Sequence, residues 1–309
     1  MTKRDYRKVS DFSTEEIHHL FQLALTIKRE VKERRFVPRL ADKNLAMIFE
    51  KPSLRTRCTF ELAMRQAGGN GLYLGPSEVG LGKRESVYDI AKNLERWFDL
   101  VMIRTFAQKN VDDLAVHASI PVINALSDAE HPCQAMADFL TVLEKRGSFD
   151  GFKLAYVGDG NNICHSLITL TAQLGCEIRV ATPDGYQPKE ATLVEARTIA
   201  AKTGATILIT TNPVEAVEGV DAVYTDVWAS MGQEAEAAER RKYFLPFQVN
   251  AELMRAANPG AFVMHDLPAH RGEEITDEII DSPQSIVFDQ AENRLHAQKA
   301  ILVYLDELR

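Results

Sequence analysis

The stretch Asn44-Leu45-Ala46-Met47-Ile48-Phe49-Glu50-Lys51-Pro52-Ser53-Leu54-Arg55-Thr56-Arg57-Cys58-Thr59-Phe60-Glu61 decides the fold. Residues 44–49 form a short apolar run suited to a buried strand, and Pro52 ends it because proline lacks the N–H that a sheet ladder needs. Ser53 then offers a cap oxygen to a helix that starts at once. The same order recurs on both sides. Runs at 71–74, 100–104 and 121–125 read as further buried strands, with helical patterns at 56–68 and 86–98. Upstream, Ser13-Thr14-Glu15-Glu16 places cap and acid before Ile17, Leu20, Phe21 and Ala24, so a helix is expected to open near Thr14. Strands alternating with helices build parallel sheets through βαβ units.

After Pro132 an amphipathic stretch, 135–145, ends at Gly147, and the alternation restarts with strand candidates at 152–158, 177–181, 205–209, 222–225 and 261–264. The expected fold class is α/β: two doubly wound parallel-sheet domains joined by an interdomain helix. Residues 291–309 read as a C-terminal helix closing back on the first domain. A boundary near residue 148 gives domains 1–147 and 148–309.

With 309 residues, 45% hydrophobic and 26% charged, the chain is long enough for two cores and too apolar for a disordered or fibrous protein. Its net charge of -8 argues against a broad nucleic-acid footprint. No run approaches the roughly 18 apolar residues of a membrane helix. Residues 1–6 are polar, unlike a secretory signal, and Cys58, Cys133, Cys164 and Cys176 lack metal-ligand spacing, which reads as reduced thiols. A cytoplasmic protein without nucleic-acid or membrane partners is expected. An anionic ligand would need cations gathered locally.

Residues 53–57 gather them. The first turn of that helix combines free backbone N–H groups, the hydroxyls of Ser53 and Thr56, and the guanidiniums of Arg55 and Arg57. Helix N-termini favour phosphate, and arginine matches its oxygens in bidentate fashion. An exposed helix start paired with acids is the alternative. Arg104 closes a strand, where a salt bridge is the plain reading, and His131 sits between a strand and a helix, where it could cap. Together with 53–57 at one sheet edge they point to an oxyanion site. In open α/β sheets ligands lie beyond the carboxyl ends of the strands.

Ser53-Leu54-Arg55-Thr56-Arg57, Arg104 and His131-Pro132-Cys133-Gln134 resemble the carbamoyl-phosphate signature of the aspartate/ornithine carbamoyltransferases. Asp226-Val227-Trp228-Ala229-Ser230-Met231-Gly232 is similar to the amino-acid loop of the ornithine members; Gly158-Asp159-Gly160-Asn161-Asn162 and Glu292-Asn293-Arg294 also match. The resemblance implies a carbamoyltransferase acting on carbamoyl phosphate and L-ornithine, giving citrulline and phosphate within arginine metabolism and amino-acid biosynthesis. A biosynthetic and a catabolic enzyme can share all these residues. It further implies a homotrimer with active sites near subunit interfaces, without cofactor or metal. Ser53, Leu54 (through its backbone), Arg55 and Thr56 would hold the phosphate; Arg104, His131, Gln134 and Thr56 the carbamoyl end. Asn162, Asp226, Ser230 and Met231 would hold the α-groups of ornithine, Leu267 would join that ornithine site, and Arg294 would reach the carbamoyl-phosphate site from the last helix. Arg55, Arg104, His131 and Asp266 are the candidate catalytic residues.

Two departures from the family pattern stand out. Ornithine members usually read His-Cys-Leu-Pro where this chain has His265-Asp266-Leu267-Pro268. Asp266 could pair with the side-chain ammonium, act as a base, select another amine such as putrescine or an N-acylated ornithine, or turn aside; a non-catalytic carbamoyl-phosphate-binding paralogue is the remaining alternative. Gly80 stands where the family commonly lends a Gln or His to the neighbouring subunit, so Lys83 or Arg84 substitutes or the contact is absent. A nicotinamide-dependent dehydrogenase is the rival at Gly158-Asp159-Gly160. However, Ile163 takes the third glycine position and no acid ends the next strand.

Overall fold

The structure is a computed structural model that describes residues 3–81, 84–229 and 234–309. It divides into two compact units, Met1–Leu140 with Glu292–Arg309, and Thr141–Ala291.

The first unit contains α1 (Thr14–Lys32), β1 (Asn44–Phe49), α2 (Leu54–Gln66), β2 (Asn70–Leu74), α3 (Pro76–Val79), α4 (Val87–Trp97), β3 (Leu100–Arg104), α5 (Gln108–His117), β4 (Val122–Leu126) and the start of α6 (Pro132–Arg146). Helix α1 opens where the sequence places it. Ser13 Oγ accepts from the Glu16 N–H, and the Glu16 carboxylate accepts from the Ser13 N–H at 2.7 Å. The strands form one parallel sheet in the order β2-β1-β3-β4. Central β1 and β3 are buried almost throughout, packing Ala46, Ile48, Val101 and Ile103 into the core. Strand β2 departs from the buried strand its apolar run suggests. It has a neighbour on one side only, and Leu72 remains 55% exposed.

The second unit holds β5 (Lys153–Val157), α7 (Asn162–Gln173), β6 (Glu177–Ala181), α8 (Glu190–Thr203), β7 (Thr206–Thr210), α9 (Pro213–Val217), β8 (Ala222–Tyr224), α10 (Ala237–Phe244), α11 (Ala251–Met254), β9 (Phe262–Met264) and α12 (Asp277–Ile280). Its strands are also parallel, in the order β7-β6-β5-β8-β9. Edge strand β7 alternates exposed and half-buried, while β5 is buried from Leu154 onward. Helix α13 (Val287–Glu307) starts earlier than the sequence suggests, because Val287 belongs to the second unit's core, and it ends in the first unit.

Each sheet reverses its winding once, between β1 and β3 in the first and between β5 and β8 in the second. Crevices at such reversals, beyond the carboxyl strand ends, are where these sheets bind ligands. Every candidate site residue before residue 230, apart from His131 and Gln134, which follow β4, lies at or just after one of those four strand ends.

Gly160 sits in the loop after β5, and the dehydrogenase reading of that loop fails on packing. Its N–H donates to Tyr186 O at 2.9 Å, and segment 186–188 fills the space a pyrophosphate would need. A Cβ at 160 would meet Pro188 N at 2.3 Å, and Gln187 C and Tyr186 O at 2.5 Å. These backbone atoms cannot turn aside. G160A is therefore expected to lose about 1–3 kcal/mol in urea denaturation; an unchanged midpoint would contradict this packing.

Candidate active site

In the first unit, Ser53 caps α2 from an extended conformation, its Oγ accepting from the Thr56 N–H at 3.3 Å. This turns the buried Thr56 hydroxyl inward, and three donors converge on it. Ser53 Oγ donates at 3.1 Å, Arg104 Nη1 at 3.3 Å from the end of β3, and Arg294 Nη2 at 3.1 Å from α13. Both guanidiniums are buried, Arg104 at 7% and Arg294 at 2% exposed. Arg294 Nη1 also donates to Gln134 Oε1, and Gln134 Nε2 donates to Asp138 Oδ1 at 2.8 Å. With its amide oxygen turned towards the guanidinium, Gln298 accepts from Arg294 Nη2 and Nε at 3.0 and 3.1 Å. Asp138 and Gln298 each lie one helical turn from the residue they hold, Gln134 in α6 and Arg294 in α13, and the sequence reading did not include them.

The structure thus brings Ser53, Thr56, Arg104, Gln134 and Arg294 together. Arg55 is half-buried, while the Leu54 side chain is exposed. Arg57 turns away: it stacks over the Tyr73 ring at 4.2 Å and pairs with Glu61 at 3.9 Å. His131 is buried beside the cluster. Burial and the positive charges of Arg294, Arg104 and Arg55 hold its imidazole well below the usual histidine range, so it is neutral near pH 7.

The second unit's crevice is acidic. Asn161 caps α7, its Oδ1 accepting from the Cys164 N–H at 3.2 Å, and its Nδ2 donates to Asp226 Oδ2 at 2.7 Å. Asp226 also accepts from the Val227 N–H at 2.7 Å, so it serves its own turn as well. Asn162 is half-buried and accepts from the Ile163 N–H at 2.9 Å. Asn161, rather than its neighbour, ties the loops after β5 and β8 together; its position before an apolar helix was the available signal. Asp159 pairs with buried Arg240, which donates to Trp228 O and lies over the Tyr186 and Phe244 rings at 4.7 and 5.2 Å. Burial pushes the Asp159 carboxyl up to about 6, with Arg240 pulling it down and Asp226 adding to the rise. Ser230, Met231 and Lys83 lie outside the described residues.

Beyond β9, Asp266 brings a carboxylate oxygen within 4.8 Å of both Asp226 and His265. His265 engages both ring nitrogens, Nδ1 accepting from the Leu267 N–H at 2.8 Å and Nε2 facing Glu274 Oε1 at 3.1 Å. Leu267 sits at φ +58° before a cis Pro268. Gly80 ends α3 in the left-handed region at φ +52°, and a Cβ there would meet Arg84 Cβ at 2.9 Å. Residues 76–80 form a capped helical turn, and glycine is the residue such a cap favours.

Cationic and acidic crevices at the switch points of two parallel α/β units define a class of two-domain proteins that handle an anionic and an amine ligand. The chain belongs to the aspartate/ornithine carbamoyltransferase family. Residues 4–144 match its carbamoyl-P binding domain and residues 150–305 its Asp/Orn binding domain. An ornithine carbamoyltransferase from Anoxybacillus flavithermus is 51% identical over 98% of this chain and 96% of its own length. The solved ornithine carbamoyltransferase from Pyrococcus furiosus matches with a TM-score of 0.95 and 51% identity, covering 97% of this chain and 96% of that one. The anabolic enzyme from Campylobacter jejuni matches at 0.94 and 37% identity, covering 99% and 100%.

The neutral His131 makes stability depend on pH. Its folded pKa lies below the unfolded value near 6.5, so below that pH the unfolded chain takes up the proton first. Stability is expected to fall with decreasing pH from about 6.5, by up to ~1.4 kcal/mol per unit from this group. Asp159, whose pKa rises on folding, acts in the opposite sense. Urea denaturation of H131Q against the parent isolates the histidine: H131Q should lose that slope, and parallel curves would contradict a neutral buried His131.

Proposed function

We propose that this protein transfers the carbamoyl group of carbamoyl phosphate to the side-chain amine of L-ornithine, giving L-citrulline and phosphate. The observation that carries the proposal is charge complementarity within a full-length family match. The Arg55, Arg104 and Arg294 cluster suits a phosphate dianion, and the Asp226 and Asp266 pair suits a diamino acid. Relatives called ornithine carbamoyltransferase cover nearly the whole chain.

Ser53, the Leu54 backbone, Arg55 and Thr56 take the phosphate. Arg104, His131, Gln134 and Thr56 take the carbamoyl end, with Arg294 tying Thr56 to Gln134. The amine nitrogen attacks the carbonyl carbon, negative charge builds on its oxygen, and the bond to phosphate breaks. The leaving phosphate accepts the amine's proton, so no protein base is required. Neutral His131 donates one N–H to the developing oxyanion without needing a charge. Alignment of the two substrates supplies about 7–11 kcal/mol of the barrier reduction, and each lost oxyanion donor costs about 2.7–4 kcal/mol. Asn162, Asp226, Ser230 and Met231 hold the α-amino and α-carboxylate groups, and Asp266 with Leu267 faces the reacting amine. A cytoplasmic homotrimer completes the reading, with Gly80 offering its neighbour no side chain.

Citrulline formation by the purified protein, with putrescine and N-acetylornithine in parallel, tests the assignment. Turnover with ornithine alone is expected, and turnover only with another amine would overturn it. Asp266 stabilises the ammonium form of the amine, which strengthens binding but opposes the deprotonation that attack requires. D266C should therefore raise KM for ornithine, and the alkaline rise of kcat should move about one pH unit lower. Unchanged kcat, KM and pH profile would remove Asp266 from the reaction.

A further inference from the structure

Glu274 is a fully buried carboxylate in the loop that follows the Asp266-Leu267 segment, and its backbone is fixed where its carbonyl accepts from the Val249 N–H at 2.8 Å. Its Oε1 takes two hydrogen bonds, one from His265 Nε2 at 3.1 Å and one from the His270 N–H at 2.6 Å. One oxygen thereby ties both ends of segment 265–270, with Asp266 and Leu267 between them. Burying a carboxylate is costly unless its bonds are needed where they are made.

The need lies at Leu267. A side chain at φ +58° holds a sparsely populated conformation that persists only where its surroundings enforce it. The enforcing contact is the Leu267 N–H donating to His265 Nδ1 at 2.8 Å. For Nδ1 to accept, it carries no proton, so the ring proton resides on Nε2 and points at Glu274. The His265 N–H donates to Gln290 Oε1 at 3.1 Å, which anchors the start of the segment.

We infer that Glu274 and His265 form a positioning pair: Glu274 fixes the His265 tautomer, His265 fixes the Leu267 amide, and together they aim Asp266 and the Leu267 backbone at the reacting amine. This rests on the reading above, in which those two residues face the ornithine side chain. The pair touches no substrate. Glu274 also shares His265 with Asp266, whose Oδ1 lies 3.5 Å from Nδ1, so protonating that nitrogen would cost the Leu267 bond and redirect the ring towards Asp266.

The test compares E274A and E274Q in citrulline formation, with carbamoyl-phosphate binding measured by calorimetry as control. Misplacement by about 1 Å costs on the order of 100-fold, so E274A should lose about that in kcat with ornithine. Carbamoyl-phosphate affinity should change less than about twofold. E274Q keeps the accepting oxygen and should recover most of the loss, which a bulk packing role would not produce. E274A with parental kcat and ornithine KM would overturn the inference. Nitrogen-15 NMR of His265 in the unmodified protein decides the tautomer even where E274A fails to fold: a bare Nδ1 with protonated Nε2 supports the pair, and a proton on Nδ1 overturns it. Lack of turnover in the parent would instead sink the proposed reaction, with the tautomer result still judging the pair.

Discussion

The convergence of Arg104 and Arg294 on the single hydroxyl of Thr56 is the constraint around which the first unit is organised. Two buried guanidiniums at one point are costly in a low-dielectric interior, and an arriving anion offsets that cost. Satisfying it requires β3 to end in arginine, α2 to begin at a capped serine one strand over, and α13 to return to the first unit with Arg294. The same positive field keeps His131 neutral, which leaves it a donor rather than a further cation. One local charge distribution therefore sets both ligand preference and protonation state.

The second unit repeats the topology with the opposite sign. Its reversal between β5 and β8 brings Asn161 against Asp226, and the turn after β9 adds Asp266. An acidic crevice would repel phosphate and favour ammonium groups, the opposite preference to that of the arginine cluster. The buried Asp159–Arg240 pair is a neutralising element inside that crevice. Its aromatic surroundings and the bond to Trp228 O hold Trp228 in place.

Contiguous features were readable from the chain, and through-space ones were not. The strand of Asn44–Phe49 and the cap at Ser53 are local, because apolar periodicity and capping chemistry operate over a few residues. The anion cradle was legible for the same reason, although Arg57 found Tyr73 and Glu61 instead. Gly160 looked like part of a dinucleotide fingerprint, since its reason for being glycine is segment 186–188, more than twenty residues away in sequence. Glu274, Gln298 and Arg240 carry no local signature. Glu274 and Arg240 take their roles from partners on other segments, and Gln298 takes its role from an arginine whose own partners lie on other elements, so only tertiary packing discloses them.

Sorting by charge requires that the two ligands bind at two separate clusters. Calorimetric binding of carbamoyl phosphate, and of L-norvaline (ornithine's side chain without its reacting amine) in the presence of carbamoyl phosphate, tests it most directly across the parent, R294A and D226A. R294A should weaken carbamoyl phosphate by at least tenfold, while D226A leaves that affinity within about twofold and weakens norvaline instead. Equal loss of carbamoyl phosphate in both variants would contradict the division of labour.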